Sequence, residues 1–171
     1  MKRIVPVIVM LSSVLWAFAQ SAENRYNSRM TRDGVLFFLM PEPLKDLSGI
    51  KKFEYDATLL SWTDSTTVNF TFESSSFQLP TDLRVRYGED GVIECKSFSP
   101  LFIDIKKNHY EIRITSKFSN AEFESIIKSL TPPAFCFNQG EEPKSAAYKA
   151  KAWSKDRKKL NDIFQLYLYS K

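Results

Sequence analysis

The sequence predicts an α+β domain: a curved antiparallel sheet of about seven strands, laid down as a meander of hairpins, followed by two helices that cover one of its faces. Three observations predict it. Apolar and polar residues alternate with period two on both arms of three segments, each joined by a short polar turn. Ser119 and Glu122 stand at capping-box spacing directly before an apolar helical run. Ala146, Ala150, Trp153, Leu160, Phe164 and Tyr167 then recur at helical intervals towards the C-terminus.

The elements follow in order. Lys2 and Arg3, the apolar stretch Ile4 to Trp16 and the small-x-small triplet Ala17-Phe18-Ala19 form the pattern of a cleavable signal peptide over residues 1–19. The apolar run is shorter than the ~20 residues a spanning helix needs, so cleavage after Ala19 and a secreted or periplasmic location are expected, with no membrane-spanning segment left afterwards. Residues 20–33 are polar and aperiodic, a flexible lead-in to a single globular domain over residues 34–171. Val35 to Met40 suits a buried strand, stopped by Pro41-Glu42-Pro43.

Phe53, Tyr55, Ala57 and Leu59 alternate with polar residues, as do Val68, Phe70 and Phe72 on the return arm. A two-residue turn at Asp64-Ser65 would set Ala57 against Phe72 and Asp56 against Glu73. Leu83, Val85 and Tyr87 face Ile93 and Cys95 in a third hairpin with a three-residue loop at Glu89-Asp90-Gly91, which places Arg86 opposite Glu94.

The clearest stretch is Leu101 to Leu130. A turn at Lys107-Asn108 pairs Ile105 with Tyr110, Ile103 with Ile112 and Asp104 with Glu111, and Phe118 and Phe123 staple the capping box that follows. Phe123, Ile126, Ile127 and Leu130 form the helix's apolar side, and Thr131-Pro132-Pro133 ends it. Ala134 to Phe137 fits a short strand, and a last helix is expected from about Pro143 to Tyr169. In element order alone, a strand-rich body closed by a helix resembles the pleckstrin-homology arrangement; no motif accompanies the likeness and it implies no function.

Composition narrows the chemistry. The chain has 24 basic and 20 acidic residues, and loss of Lys2 and Arg3 leaves 22, so overall charge points to no polyanionic partner and no nucleic acid. No Gly-rich phosphate loop, zinc-spaced Cys/His cluster or G-x-S-x-G motif is present, so neither a cofactor nor a metal is expected. Cys95 and Cys136 are the only cysteines. In an oxidising compartment they could bridge, closing a loop of about 40 residues worth ~4 kcal/mol, or remain two packed thiols. His109 lies beside an exposed turn and makes a poor catalytic partner for either.

Two features carry functional expectations. Between Lys144 and Lys159 seven basic residues, Lys144, Lys149, Lys151, Lys155, Arg157, Lys158 and Lys159, stand against the single acid Asp156. The lysines either merely solvate the outer face of a helix whose inner face is core, or suit an anionic envelope surface, an acidic glycan or another envelope protein; a non-catalytic binding or accessory role is the preferred functional reading. The alternative is an extracellular hydrolase that uses Asp56 and Glu73 as a carboxylate pair. Trp62 and Leu60, among hydroxyl residues, fit either glycan stacking or packing beneath a neighbouring element. The many Phe residues would also permit an apolar ligand between sheet and helices.

Overall fold

The structure, a computed structural model, describes residues 25–171; the expected signal peptide lies outside them. It contains β1 (Tyr26–Thr31), β2 (Gly34–Pro43), β3 (Asp46–Ser48), β4 (Phe53–Leu60), β5 (Ser65–Ser74), β6 (Asp82–Tyr87), β7 (Gly91–Glu94), β8 (Phe98–Lys106), β9 (His109–Ser119), α1 (Asn120–Lys128), β10 (Ala134–Gln139), β11 (Glu142–Ala147) and α2 (Ala150–Tyr169). The α+β class is as expected, but the strands form two antiparallel sheets and not one. Six lie in the order β1-β2-β4-β5-β9-β8 and five in the order β3-β11-β10-β6-β7.

The sheets face each other through aromatic rings. Phe53 and Phe135 stack at 5.3 Å between ring centroids, and Phe72 meets Phe137 at 4.8 Å. Phe70 packs edge-on against Phe135 at 5.4 Å. Each ring comes from the inward half of an alternating strand, so period two in the sequence becomes the core. The helices cover the rest of the inner face: Tyr167 of α2 meets Phe37 of β2, and Phe164 meets Phe123 of α1. Where both sheets and both helices converge, the free space is about 10 Å³, no more than one water needs, so an apolar ligand has no room there.

Local signals held where they were self-contained. The turn at Lys107-Asn108 forms with the expected register, Ile105 against Tyr110 and Ile103 against Ile112. The capping box is complete: the Glu122 amide donates to Ser119 Oγ and the Ser119 amide donates to the Glu122 carboxylate.

Four expectations need correction. The lead-in is not loose from Tyr26 onward, because residues 26–31 pair with β2 as an edge strand; both its faces are largely exposed, which is why no periodicity marked it. Pro41 and Pro43 do not end β2, which continues through a bulge between Leu39 and Glu42, a place where missing amide donors are tolerated. Ala57 pairs with Val68 and Asp56 with Asn69, because Ser61 to Asp64 form the turn with Trp62 at φ 71°. In the third hairpin the three-residue loop is Gly88-Glu89-Asp90, with Gly88 left-handed, so Arg84 and not Arg86 opposes Glu94.

The last helix is also shorter than expected. Glu142–Ala147 pairs with β10 and β3 as a strand, and α2 starts at Ala150. Only Lys144 and Ala146 of this strand are buried, too sparse a pattern to separate a strand from a helix in sequence. Lys144 lies under Gly49, where a Cβ would come within 2.8 Å of the lysine Cδ. Gly49 is therefore needed both for that contact and for its φ of 71°.

Candidate functional site

The basic segment at the C-terminus is divided by the fold. Lys144 is buried on β11 with its Nζ 2.5 Å from the Glu142 carboxylate, and it takes no part in the surface. Lys149 is the N-cap residue of α2, and Lys151, Lys155 and Lys158 are exposed at spacings of four and three, which places them along one outward stripe. Lys159 flanks the stripe, half exposed. Arg157 turns aside, donating to the Lys128 carbonyl at the end of α1 at 3.3 Å.

Asp156, the one acid in the segment, points the other way. It is 7% exposed, and its carboxylate accepts from Arg25 Nε at 2.8 Å, Arg25 Nη2 at 3.3 Å and the Tyr148 hydroxyl at 2.5 Å. Tyr148 and Tyr55 share a hydrogen bond at 2.7 Å, and the Arg25 guanidinium lies 5.7 Å from the Tyr55 ring centroid. Burial opposes charge on Arg25, but Tyr55 and the Asp156 hydrogen bond and charge outweigh it, raising the guanidinium pKa above its ordinary value. Burial raises the pKa of both phenols. This clasp joins the start of the described chain to its last helix and turns inward the one acid that lies among the lysines from Lys149 to Lys159. Trp153, Asp156 and Leu160 share a stripe by spacing alone, so an acid on an apolar face was the available signal for it. Nothing in the sequence pointed to Arg25.

The first turn of α2 departs from helix electrostatics. Lys149 makes no side-chain cap, and no acid lies in the first turn. The partial positive charge of a helix N-terminus favours acids by about 0.3–1 kcal/mol each, so lysines here cost stability. The first turn of α2 is thus a local departure from the usual charge pattern of a helix start.

The chain matches no family model, no curated protein and no solved structure.

The carboxylates proposed as a pair are apart. Asp56 opposes Asn69, four residues along β5 from Glu73, a separation of roughly 13 Å in an extended strand. Both Asp56 oxygens are occupied, by Asn69 Nδ2 at 2.7 Å and Arg113 Nη2 at 2.6 Å. Glu73 instead opposes Glu111 and lies 3.3 Å from His109 Nε2. The like-charged ladder that forms is Asp104-Glu111-Glu73 across three strands, bridged by Lys52 and Lys106, each 3.8 Å from Glu111. Among the described residues no group of three or more His, Cys, Asp or Glu side chains could hold a metal ion.

Cys95 and Cys136 are free thiols on opposite faces of the five-stranded sheet. Cys136 opposes Arg84, whereas the Cys95 amide bonds to the carbonyl of Leu83, whose side chain is in the core. Of the two alternatives the unbridged one is present, since adjacent positions on a strand point oppositely. Burial pushes the Cys95 thiol up to about 12 and that of Cys136 above its ordinary value, so neither is an activated nucleophile. Trp62 is 66% exposed in the β4–β5 turn, and its Nε1 donates to the Lys171 carbonyl at 2.6 Å beside the end of α2.

Proposed function

We propose that this protein is a non-catalytic binding or accessory protein, secreted or periplasmic, that engages an anionic partner at the cell envelope through the outer face of α2. One observation carries the reading: Lys149, Lys151, Lys155, Lys158 and Lys159 present positive charge while Asp156, the only acid among them, is turned inward onto Arg25. A face arranged in that way concentrates one sign of potential, which the net charge of +2 left after loss of Lys2 and Arg3 would not do if spread evenly. The N-terminal apolar segment and the small-x-small triplet at Ala17 to Ala19 support the location.

The test is retention on an acidic matrix eluted with a salt gradient. The native protein is expected to elute late. A variant with Lys155, Lys158 and Lys159 changed to Gln is expected in the flow-through, with its far-UV circular dichroism unchanged. Equal retention of the two would remove α2 from the function.

A further inference from the structure

We propose that the anionic partner of α2 is the surface of a lipid bilayer, with Leu166, Tyr169 and Trp62 seated among the headgroups; this rests on the basic-face reading above and specifies its partner. The stripe that begins with Lys151, Lys155 and Lys158 does not end with them. Continued at spacings of four and three it passes Asp162 and reaches Leu166, 45% exposed, and Tyr169, 87% exposed. Eighteen residues separate Lys151 from Tyr169, five full turns at 3.6 residues each, so the two side chains leave the helix in the same direction.

Trp62 adjoins this end. It is 66% exposed and held to the Lys171 backbone through its indole N–H, two residues beyond Tyr169. The backbone at Trp62 is left-handed, with φ 71°, a conformation bulky residues rarely adopt. A strained turn thus displays an indole to solvent where burial would be the ordinary fate of the side chain.

One surface therefore combines a lysine row with an aromatic and aliphatic end. Lysines complement anionic headgroups, while Trp and Tyr favour the layer between headgroup and acyl chain, where the ring is apolar and its polar edge remains wet. An acidic polysaccharide would use the lysines but has no need of Leu166. An acidic protein surface would have to supply an apolar pocket for that end, a closer match than a fluid interface demands. The single acid on the stripe, Asp162, is half exposed and stands between the two parts.

The experiment uses the chain from Gln20 onward, which contains every element described and lacks the apolar leader that would itself enter a bilayer. Its two tryptophans are Trp62, exposed, and Trp153, 1% exposed, so a change in emission on binding reports Trp62. Flotation and fluorescence are measured with phosphatidylcholine vesicles with and without phosphatidylglycerol, alongside retention on heparin. Flotation with the anionic vesicles alone is expected, with a blue shift that Trp62→Phe abolishes. Lys151→Gln/Lys155→Gln/Lys158→Gln is expected to weaken partitioning on the order of 100-fold, at roughly fivefold per lysine. Leu166→Ser/Tyr169→Ser is expected to weaken it several-fold with heparin retention unchanged. Heparin retention without flotation would overturn the bilayer and leave the basic face standing. Flotation with no Trp62 shift and no effect of the Leu166/Tyr169 change would overturn the seating of the aromatic end. Neither flotation nor retention would overturn both readings.

Discussion

At Asp156 one carboxylate accepts hydrogen bonds from Arg25 and Tyr148, side chains separated from it by 131 and 8 positions in the chain. Both members of the ion pair are buried, with side chains 5% and 9% exposed, so loss of one leaves an uncompensated charge. Asp156→Ala is expected to lower the unfolding free energy by about 3–5 kcal/mol, whereas Arg25→Met/Asp156→Leu regains most of that loss, because apolar replacement of a whole buried pair is often neutral. Urea melts of the single and double variants check this; purely additive losses would show that the pair is not coupled. Glu42, 3.8 Å from Arg25 Nε, gives a second readout. Burial and the Asp156 charge raise its pKa above the ordinary 4.5 despite Arg25, Lys159 and Lys45. A carboxyl raised on folding contributes stability that is complete below its unfolded pKa and is lost as pH rises through the folded value. Glu42→Gln should therefore gain on the native protein as pH rises from about 4 to about 7, measured as the difference in urea midpoints. None of this was legible in sequence except Asp156 itself, because a contact between distant positions leaves no local pattern.

Elements whose signals are local were legible, and those that depend on pairing partners were not. The β8–β9 hairpin and the capped α1 appear as expected because turn, alternation and cap all lie within one stretch. Registers of the two earlier hairpins differ by even steps, four and two residues, so every inward side chain stayed inward while the cross-strand partners changed. The split into two sheets was hidden in β11, whose pattern fits a helix equally well. In α2 the apolar stripe was legible and so was the basic side, but the start of the helix was not, since Lys149 gives no capping signal. That uncapped start separates function from stability. Lys151→Glu places an acid in the first turn and is expected to raise stability by about 0.3–1 kcal/mol. It should at the same time shorten retention on an acidic matrix. Thermal melting and salt elution of the one variant measure both, and a gain in stability with retention unchanged would mean that the first turn takes no part in binding.

Charge across the whole molecule is arranged by side and not only by amount. The six-stranded sheet has α2 packed on its inner face, through Tyr167 against Phe37. Its outer face holds Glu54, Asp56, Glu73, Asp104 and Glu111, interleaved with Lys52, Lys106, His109 and Arg113. Basic helix and mixed acidic face therefore look away from each other. A partner attracted by net charge alone would respond equally to the loss of any exposed lysine. A partner attracted to one face responds to position, since at about 0.15 M salt a charge is screened beyond ~8 Å. Two variants of equal charge separate these cases: Lys151→Gln/Lys155→Gln/Lys158→Gln on α2, and Lys96→Gln/Lys107→Gln/Lys117→Gln, all exposed and on strands or loops away from it. The first is expected to lose retention and most of its salt dependence, while the second elutes close to the native protein. Both remove three positive charges, so equal loss in the two would assign binding to net charge and withdraw it from α2. The comparison needs no assumption about what the anion is, because only the position of the positive charge differs between the two proteins.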